Sequence, residues 1–190
     1  ARKMAKTWLA SAMWTYQASC FPNELLLLSG PTRDSARELS FTSIVDTYQH
    51  NKPLAKAVGA EVLKGVIKIK ATGSEIRAVS KTLGAQAGAD WTVCHVDELW
   101  AFQGKQMTEF FRTLTTPSPA RKSPLLCVTS YAPIRGRSVL LEQLLARAKR
   151  KEPRLYASIV SGAEAVVAAC PWITTKFLKQ MKRSQPAKVF

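Results

Sequence analysis

In the stretch Trp91-Thr92-Val93-Cys94-His95-Val96-Asp97-Glu98 an apolar run ends abruptly in two adjacent carboxylates. A strand covered on both faces reads as a nearly continuous apolar segment, and such strands belong to parallel sheets. Ligands of open α/β sheets bind beyond the carboxyl ends of the strands, which is where Asp97 and Glu98 fall. Two acids there have separate uses. Asp97 is suited to hold Mg²⁺ through water, and Glu98 to take a proton from an attacking water as general base. The structural alternative is a strand that ends at an acidic helix N-cap.

Elements of both periods surround this strand. Residues 7–20 place Trp8, Leu9, Ala12, Met13, Tyr16 and Gln17 at helical spacing. Glu24 to Ser29 is a short apolar strand closed by Gly30-Pro31, and residues 33–49 set Ala36, Leu39, Ile44, Val45 and Tyr48 on one helical face. Val66 to Lys70 and Ile76 to Ser80 read as two strands paired across Thr72-Gly73-Ser74. Residues 103–114 read as helix, 116–124 as a Pro/Ser-rich loop, Leu125 to Ser130 as another apolar strand, and 137–151 as a basic amphipathic helix. Beyond Glu152-Pro153 the pattern weakens: 154–168 is one helix or a strand turning at Gly162, and 174–184 is a short basic helix capped by Thr174 or Thr175. The order predicts an α/β fold with a mostly parallel central sheet between helical layers.

A second constellation opens the chain. In Ala1-Arg2-Lys3-Met4-Ala5-Lys6-Thr7 the last three residues fill the final places of the phosphate loop G-x-x-x-x-G-K-[ST], with Ala5 where Gly is usual. The free N–H groups and the dipole of a helix start hold a phosphate; Lys6 is placed to reach the β- and γ-phosphates and Thr7 to hold Mg²⁺. The alternative is a basic helix entrance with no ligand. A third apolar strand ends in Thr129-Ser130-Tyr131-Ala132, a small polar terminus placed to face the γ-phosphate. Lysine loop, acidic strand and polar strand end occur in the order of a P-loop NTPase of the RecA-like (ASCE) type, a three-layer sandwich. ATP and Mg²⁺ are the implied cofactors.

Charge adds a partner class. The chain carries 28 Lys and Arg against 13 Asp and Glu, net +15, and residues 133–190 hold 12 of the basic and 3 of the acidic residues. So basic a balance favours a polyanion, since each neutralised phosphate releases condensed counterions. Arg147, Lys149, Arg150 and Lys151, then Lys179, Lys182 and Arg183, are the candidate DNA contacts, against the alternative of a solvated helix face. The four cysteines form no C-x-x-C pair and read as buried thiols, not a zinc site. His95 reads as a satisfied core residue. No apolar stretch reaches the roughly 18 residues of a membrane span.

These segments resemble the large terminase subunit of tailed phages. Ala1 to Thr7 is similar to that family's deviant phosphate loop, and Leu28-Ser29-Gly30-Pro31-Thr32-Arg33-Asp34-Ser35-Ala36-Arg37 to the segment after its next strand. Gly88-Ala89-Asp90-Trp91 ahead of Val96-Asp97-Glu98-Leu99-Trp100 resembles the approach to its Walker B strand, Thr129 to Ala132 its coupling motif, and Pro171-Trp172-Ile173-Thr174 its linker. The resemblance implies an ATPase that drives viral double-stranded DNA into a procapsid. It implies residues 1–152 as the ATPase core, lacking its first strand, and 153–190 as a small basic helical linker toward a nuclease domain outside this chain, with no nuclease activity in the chain itself. Arg2 and Glu98 become catalytic candidates, Arg2 as the in-cis arginine that senses the γ-phosphate. Lys3, Met4, Ala5, Lys6 and Thr7 become nucleotide contacts, and Thr7 and Asp97 metal ligands. By the same resemblance the partners are a portal protein, a terminase small subunit and further copies in a ring, with no membrane, in the host cytoplasm. Ala5 departs from the family pattern, as does Ala87, where some relatives carry an arginine that acts on a neighbouring subunit. A helicase-like DNA-dependent ATPase, or a truncated fragment that only binds DNA, are the other readings of the same residues.

Overall fold

Four consecutive leucines, Leu25 to Leu28, lie at the centre of the molecule, because a strand in mid-sheet has no polar side to serve. The structure, a computed structural model, describes residues 5–32, 40–79, 89–116, 120–160, 162–170 and 173–184, without the side chains of Ala163 and of 181–184. Helix α1 (Lys6–Cys20) leads to β1 (Leu25–Ser29), then α2 (Thr42–His50), α3 (Lys52–Val58), β2 (Ala60–Leu63), β3 (Val66–Ile69), β4 (Ser74–Val79) and β5 (Val93–Asp97). After a 3₁₀ turn at Leu99–Ala101 follow α4 (Gly104–Thr115), β6 (Leu125–Thr129), α5 (Val139–Lys149), α6 (Ala163–Ala169) and α7 (Thr175–Ser184). One sheet runs β2-β3-β4-β1-β5-β6, parallel from β4 to β6 and antiparallel at the β2-β3-β4 end. It has helices on both faces. None of the described helices is long and apolar enough to cross a membrane.

Packing separates Ala5–Leu144 from a second unit that begins at Leu145. In the larger unit Leu26 and Leu28 join Val93, Ile67, Ile69 and Ile76 in a core closed by Ala10, Trp14 and Ala18 of α1 and by Ile44 and Tyr48 of α2. Leu27 points to the opposite face by the two-residue period of a strand. The β3–β4 hairpin turns on Gly73, at φ +69, where an added Cβ would come within 3.1 Å of Asn23 Oδ1. Thr72 Oγ1 donates to Ala18 O and Ser74 Oγ to Phe21 O, which fastens that turn to the end of α1.

Three expectations need correction. The face of α1 marked by Trp8, Leu9, Met13 and Tyr16 is exposed, and Ala10, Ser11, Trp14, Thr15 and Ala18 are buried instead. The bulky leucines of β1 explain the choice: small side chains let the helix approach, and a single Trp14 fills the space left over. Helix α3 and strand β2 lie in a stretch that the sequence pattern left unassigned; Asn51 caps α3 by accepting from Leu54 N, with Pro53 in the first turn. In the second unit, residues 154–160 form neither a helix nor a strand, and a short helix starts only after Gly162. That unit has its own small core of Val166, Cys170 and Ile173, with Val160 and Leu178 against it, and Thr174 caps α7 by accepting from Phe177 N. The expected helix over 33–49 is described from residue 40, and Ser80 and the loop ahead of Trp91 fall partly outside the described residues.

Helix α1 starts without a side-chain cap or a first-turn acid, on Ala5 in the left-handed region at φ 52, ψ 18. A Cβ costs roughly 1–2 kcal/mol in that conformation, partly offset by the extra unfolded-state freedom of glycine. Ala5→Gly is therefore expected to stabilise the chain by roughly 0.5–1 kcal/mol, and β-branched Ala5→Val to destabilise it. Urea midpoints at unchanged m-value check this; a less stable Ala5→Gly variant would contradict it.

Candidate nucleotide site

Three chain segments, remote in sequence, meet at the carboxyl end of the parallel strands. Register makes the first contact: Asp97, last in β5, lies opposite Thr129, last in β6, so both side chains leave the same face. Thr129 Oγ1 donates to Asp97 Oδ1 at 2.6 Å, and the Glu98 backbone N–H donates to the same oxygen at 2.9 Å. The first turn of α1 supplies the second contact, with Thr7 Oγ1 3.3 Å from Asp97 Oδ2. Lys6 makes the third: its Nζ donates to Ser130 O at 3.1 Å and lies 4.2 Å from the centroid of the Tyr131 ring.

Glu98 leaves the strand by a different route. Its φ of 56 places it in the left-handed region, so the chain turns sharply after Asp97. Strained backbone of this kind persists where the surroundings hold it. The Trp100 indole N–H donates to Glu98 Oε2 at 2.6 Å, while Trp100 N donates to Ser130 Oγ at 3.0 Å. Burial raises the Glu98 carboxyl above the ordinary range and the neighbouring Asp97 adds to the rise; Trp100, Lys6 and the Tyr131 backbone oppose it. A half-buried carboxylate with a raised pKa, beside a lysine, is a group prepared to accept a proton.

Lys6, Thr7, Asp97, Glu98, Thr129, Ser130 and Tyr131 thus come together, while Ala132 is exposed just beyond. Ala5 sits at the start of α1; Arg2, Lys3 and Met4 lie outside the described residues, as do Arg33 to Leu39 and Ala87-Gly88. In the second unit Lys149, Arg150, Lys151 and Lys179 are exposed, and only the helical backbone of Lys182 and Arg183 is described. Arg147 is engaged, its guanidinium donating twice to Glu152 at 2.7 and 2.6 Å. Among the cysteines, Cys94 is buried, Cys127 half-buried, Cys170 buried and Cys20 exposed. Burial pushes the Cys94 thiol up to about 12 and that of Cys127 up to about 11, which leaves both as inert thiols.

Two supporting residues escape a reading of motifs. Ser138 is buried, accepts from Ile134 N and donates to Trp100 O, which ties the start of α5 to the turn after Glu98. Its signal is present in the sequence as a serine directly ahead of the apolar run Val139 to Leu141. His95, satisfied and buried as expected, also touches Thr129, and nothing in its sequence neighbourhood announces that contact.

An oxygen-only pair, Asp97 with Thr7, fits Mg²⁺. That ion takes one or two protein oxygens, completes its shell with water and substrate phosphates, and needs no cage of side chains.

The fold is similar to that of bacteriophage large terminases. The crystal structure of the HK97 bacteriophage large terminase superposes with a TM-score of 0.76 at 20% identity, over 97% of this chain and 41% of that one. The large terminase of a thermophilic bacteriophage gives 0.66 at 13% identity, over 98% of this chain and 44% of that one. The large terminase ATPase domain of Thermus phage P74-26 gives 0.53 at 18% identity, over 70% of this chain and 57% of that one. This chain spans less than half the length of the first two. No protein-family model and no curated protein matches it by sequence. At these identities the likeness is one of fold: the chain has the P-loop NTPase fold that phage large terminases share.

The raised Glu98 pKa has a signed consequence for stability. The folded chain binds this proton more tightly than the unfolded chain does. Its contribution to stability is therefore complete below the ordinary carboxylate pKa and is lost as pH rises through the raised one. Glu98→Gln, which cannot ionise, is expected to be more stable than the native chain at pH 7.5, with the difference vanishing near pH 4. Urea unfolding at the two pH values reads this out; a variant that is less stable at pH 7.5 would refute it.

Proposed function

We propose that this chain is the ATPase motor portion of a phage terminase large subunit, hydrolysing ATP to drive double-stranded DNA into a procapsid. One observation carries the proposal: Lys6 and Thr7, Asp97 and Glu98, and Thr129 and Ser130 converge at the carboxyl end of the parallel strands. The shared fold over nearly the whole chain supports a terminase over a helicase-like ATPase. One terminase of that fold has been solved in complex with ADP.

In this reading the start of α1 receives the phosphates, since its first N–H groups face outward and its dipole favours an anion. Lys6 leaves Ser130 O and the Tyr131 ring to pair with the β- and γ-phosphates, so nucleotide arrival frees the end of β6. Asp97 and Thr7 would hold Mg²⁺, which would supply neutralisation of the charge on the phosphates. Glu98 accepts a proton from water as its oxygen bonds to the γ-phosphorus; the bond to the bridging oxygen breaks, and ADP and phosphate leave. Arg2, Lys3 and Met4 are proposed as further nucleotide contacts, with Arg2 as the arginine that senses the γ-phosphate. Residues 153–190 lead toward a nuclease domain, and the portal, the small subunit and ring neighbours assemble with the whole protein in the host cytoplasm.

Glu98→Gln is expected to lower turnover by roughly 100- to 10,000-fold while a fluorescent ADP analogue still binds. Lys6→Ala is expected to abolish that binding. The assay is ATP turnover by the full-length protein with DNA and prohead, and intact turnover in Glu98→Gln would sink the role of the base.

The exposed Lys149, Arg150, Lys151 and Lys179 are proposed to grip DNA phosphates without reading bases. Removing any one should weaken binding equally across sequences and reduce the slope of log K against log salt by about one. Arg147, already held by Glu152, should matter less. A sequence-dependent loss, or an unchanged slope, would exclude phosphate contact.

A further inference from the structure

His95 is fully buried on β5, on the face that carries Asp97, with its ring 5.7 Å from that of Trp14. Its Nε2 lies 2.9 Å from Thr129 Oγ1 and its Nδ1 3.4 Å from Ser40 Oγ. The direction of the first bond follows from proton counting. Thr129 has one hydroxyl proton, and its 2.6 Å contact with Asp97 Oδ1 uses it, because an ionised carboxylate only accepts. The contact with His95 must then be donated by the ring, from Nε2–H. A neutral imidazole with its proton on Nε2 has an acceptor at Nδ1, which suits the Ser40 hydroxyl.

The consequence reaches Asp97. Its Oδ1 accepts from Thr129 and from the Glu98 N–H, so that oxygen is committed. Among the described residues its Oδ2 has the long contact to Thr7, at the start of α1. We propose that His95 is a positioning residue: by donating Nε2–H to Thr129 it commits the threonine proton to Asp97 Oδ1 and leaves Oδ2, beside Thr7, as the oxygen offered to a divalent cation. The cation part rests on the ATPase reading above; the hydrogen-bond part does not. Outer groups that orient a metal ligand commonly change metal affinity by about 10- to 100-fold when removed.

Two measurements test this. The chain has two histidines, and His50 Nδ1 faces the Asp46 carbonyl oxygen, a group that only accepts. In the nucleotide-free chain with ¹⁵N-labelled imidazoles, long-range ¹H–¹⁵N spectra at a pH where both rings are neutral should show opposite tautomers, Nε2–H at His95 and Nδ1–H at His50. An Nδ1–H tautomer at His95 overturns the proposal, whatever the protein catalyses. The second measurement is the Mg²⁺ concentration that half-saturates binding of a fluorescent ADP analogue. It should rise about 10-fold in His95→Met and in Thr129→Val, with no further rise when the two are combined. It should stay within about threefold of native in His95→Gln, whose amide retains an N–H of similar reach. A native Mg²⁺ requirement in folded His95→Met, or a His95→Gln variant as impaired as His95→Met, overturns the positioning role. A native chain that binds ADP equally with and without Mg²⁺ defeats the ATPase reading and the cation part together, and the tautomer measurement tells that outcome from a failure of the hydrogen bonds.

Discussion

The Asp97 carboxylate is the point on which this site depends. It lies at the end of a fully buried strand and is itself buried, a position that is unfavourable unless its oxygens are matched by donors. The donors come from three places: the Thr129 hydroxyl on β6, the Glu98 backbone and the Thr7 hydroxyl on α1. Satisfying one acid therefore aligns two strands and a helix. Removing Thr129, or shifting β6 by one residue, takes the shortest of these bonds from Asp97, because a one-residue slip turns every side chain of the strand to the other face.

Around that point the polar groups form a continuous chain, and Asp97 is the buried carboxylate within it among the described residues. Ser11 bridges the Thr7 and Ser40 carbonyl oxygens, and Ser40 approaches His95. On the other side Trp100 binds Glu98 through its indole and Ser130 through its backbone, while Ser138 holds the Trp100 carbonyl. Such networks stabilise when every member is satisfied and are costly when one is not. This explains why serines and threonines, residues with little to offer an apolar core, recur in the buried layer beneath α1.

What the sequence revealed and concealed follows physical lines. The strands were legible because Leu25 to Leu28, Val93 to Val96 and Leu125 to Val128 are apolar on both sides, and only a covered parallel sheet accepts such runs. Asp97, Glu98, Lys6 and Thr7 were legible because their chemistry fits one end of that sheet. The buried face of α1 was not. Helical periodicity marks where large apolar residues recur, and here Trp8, Leu9, Met13 and Tyr16 point outward while Ala10, Ser11 and Ala18 meet the leucines. Size complementarity across a helix–sheet contact is a property of two segments, so one segment cannot disclose it. His95 was hidden for the same reason: its partner Thr129 lies on another strand, and only the pairing of His95 with Cys127 in register places the ring within reach of it.

Ala5 departs furthest from the expected motif, and its conformation shows what the departure means. The backbone there is left-handed, as a glycine would have it, and α1 still begins at Lys6 with Thr7 beside Asp97. Among the described residues, helix α1 follows directly with the Ala5 methyl group in place. The methyl adds strain of roughly 1–2 kcal/mol, small against the interactions that a helix start, a lysine and a bound cation make with a polyphosphate. The substitution is thus a matter of energy and not of geometry. At Ala5 the left-handed dihedral that glycine adopts without strain is in place despite the side chain, so the difference between the two residues there is one of strain.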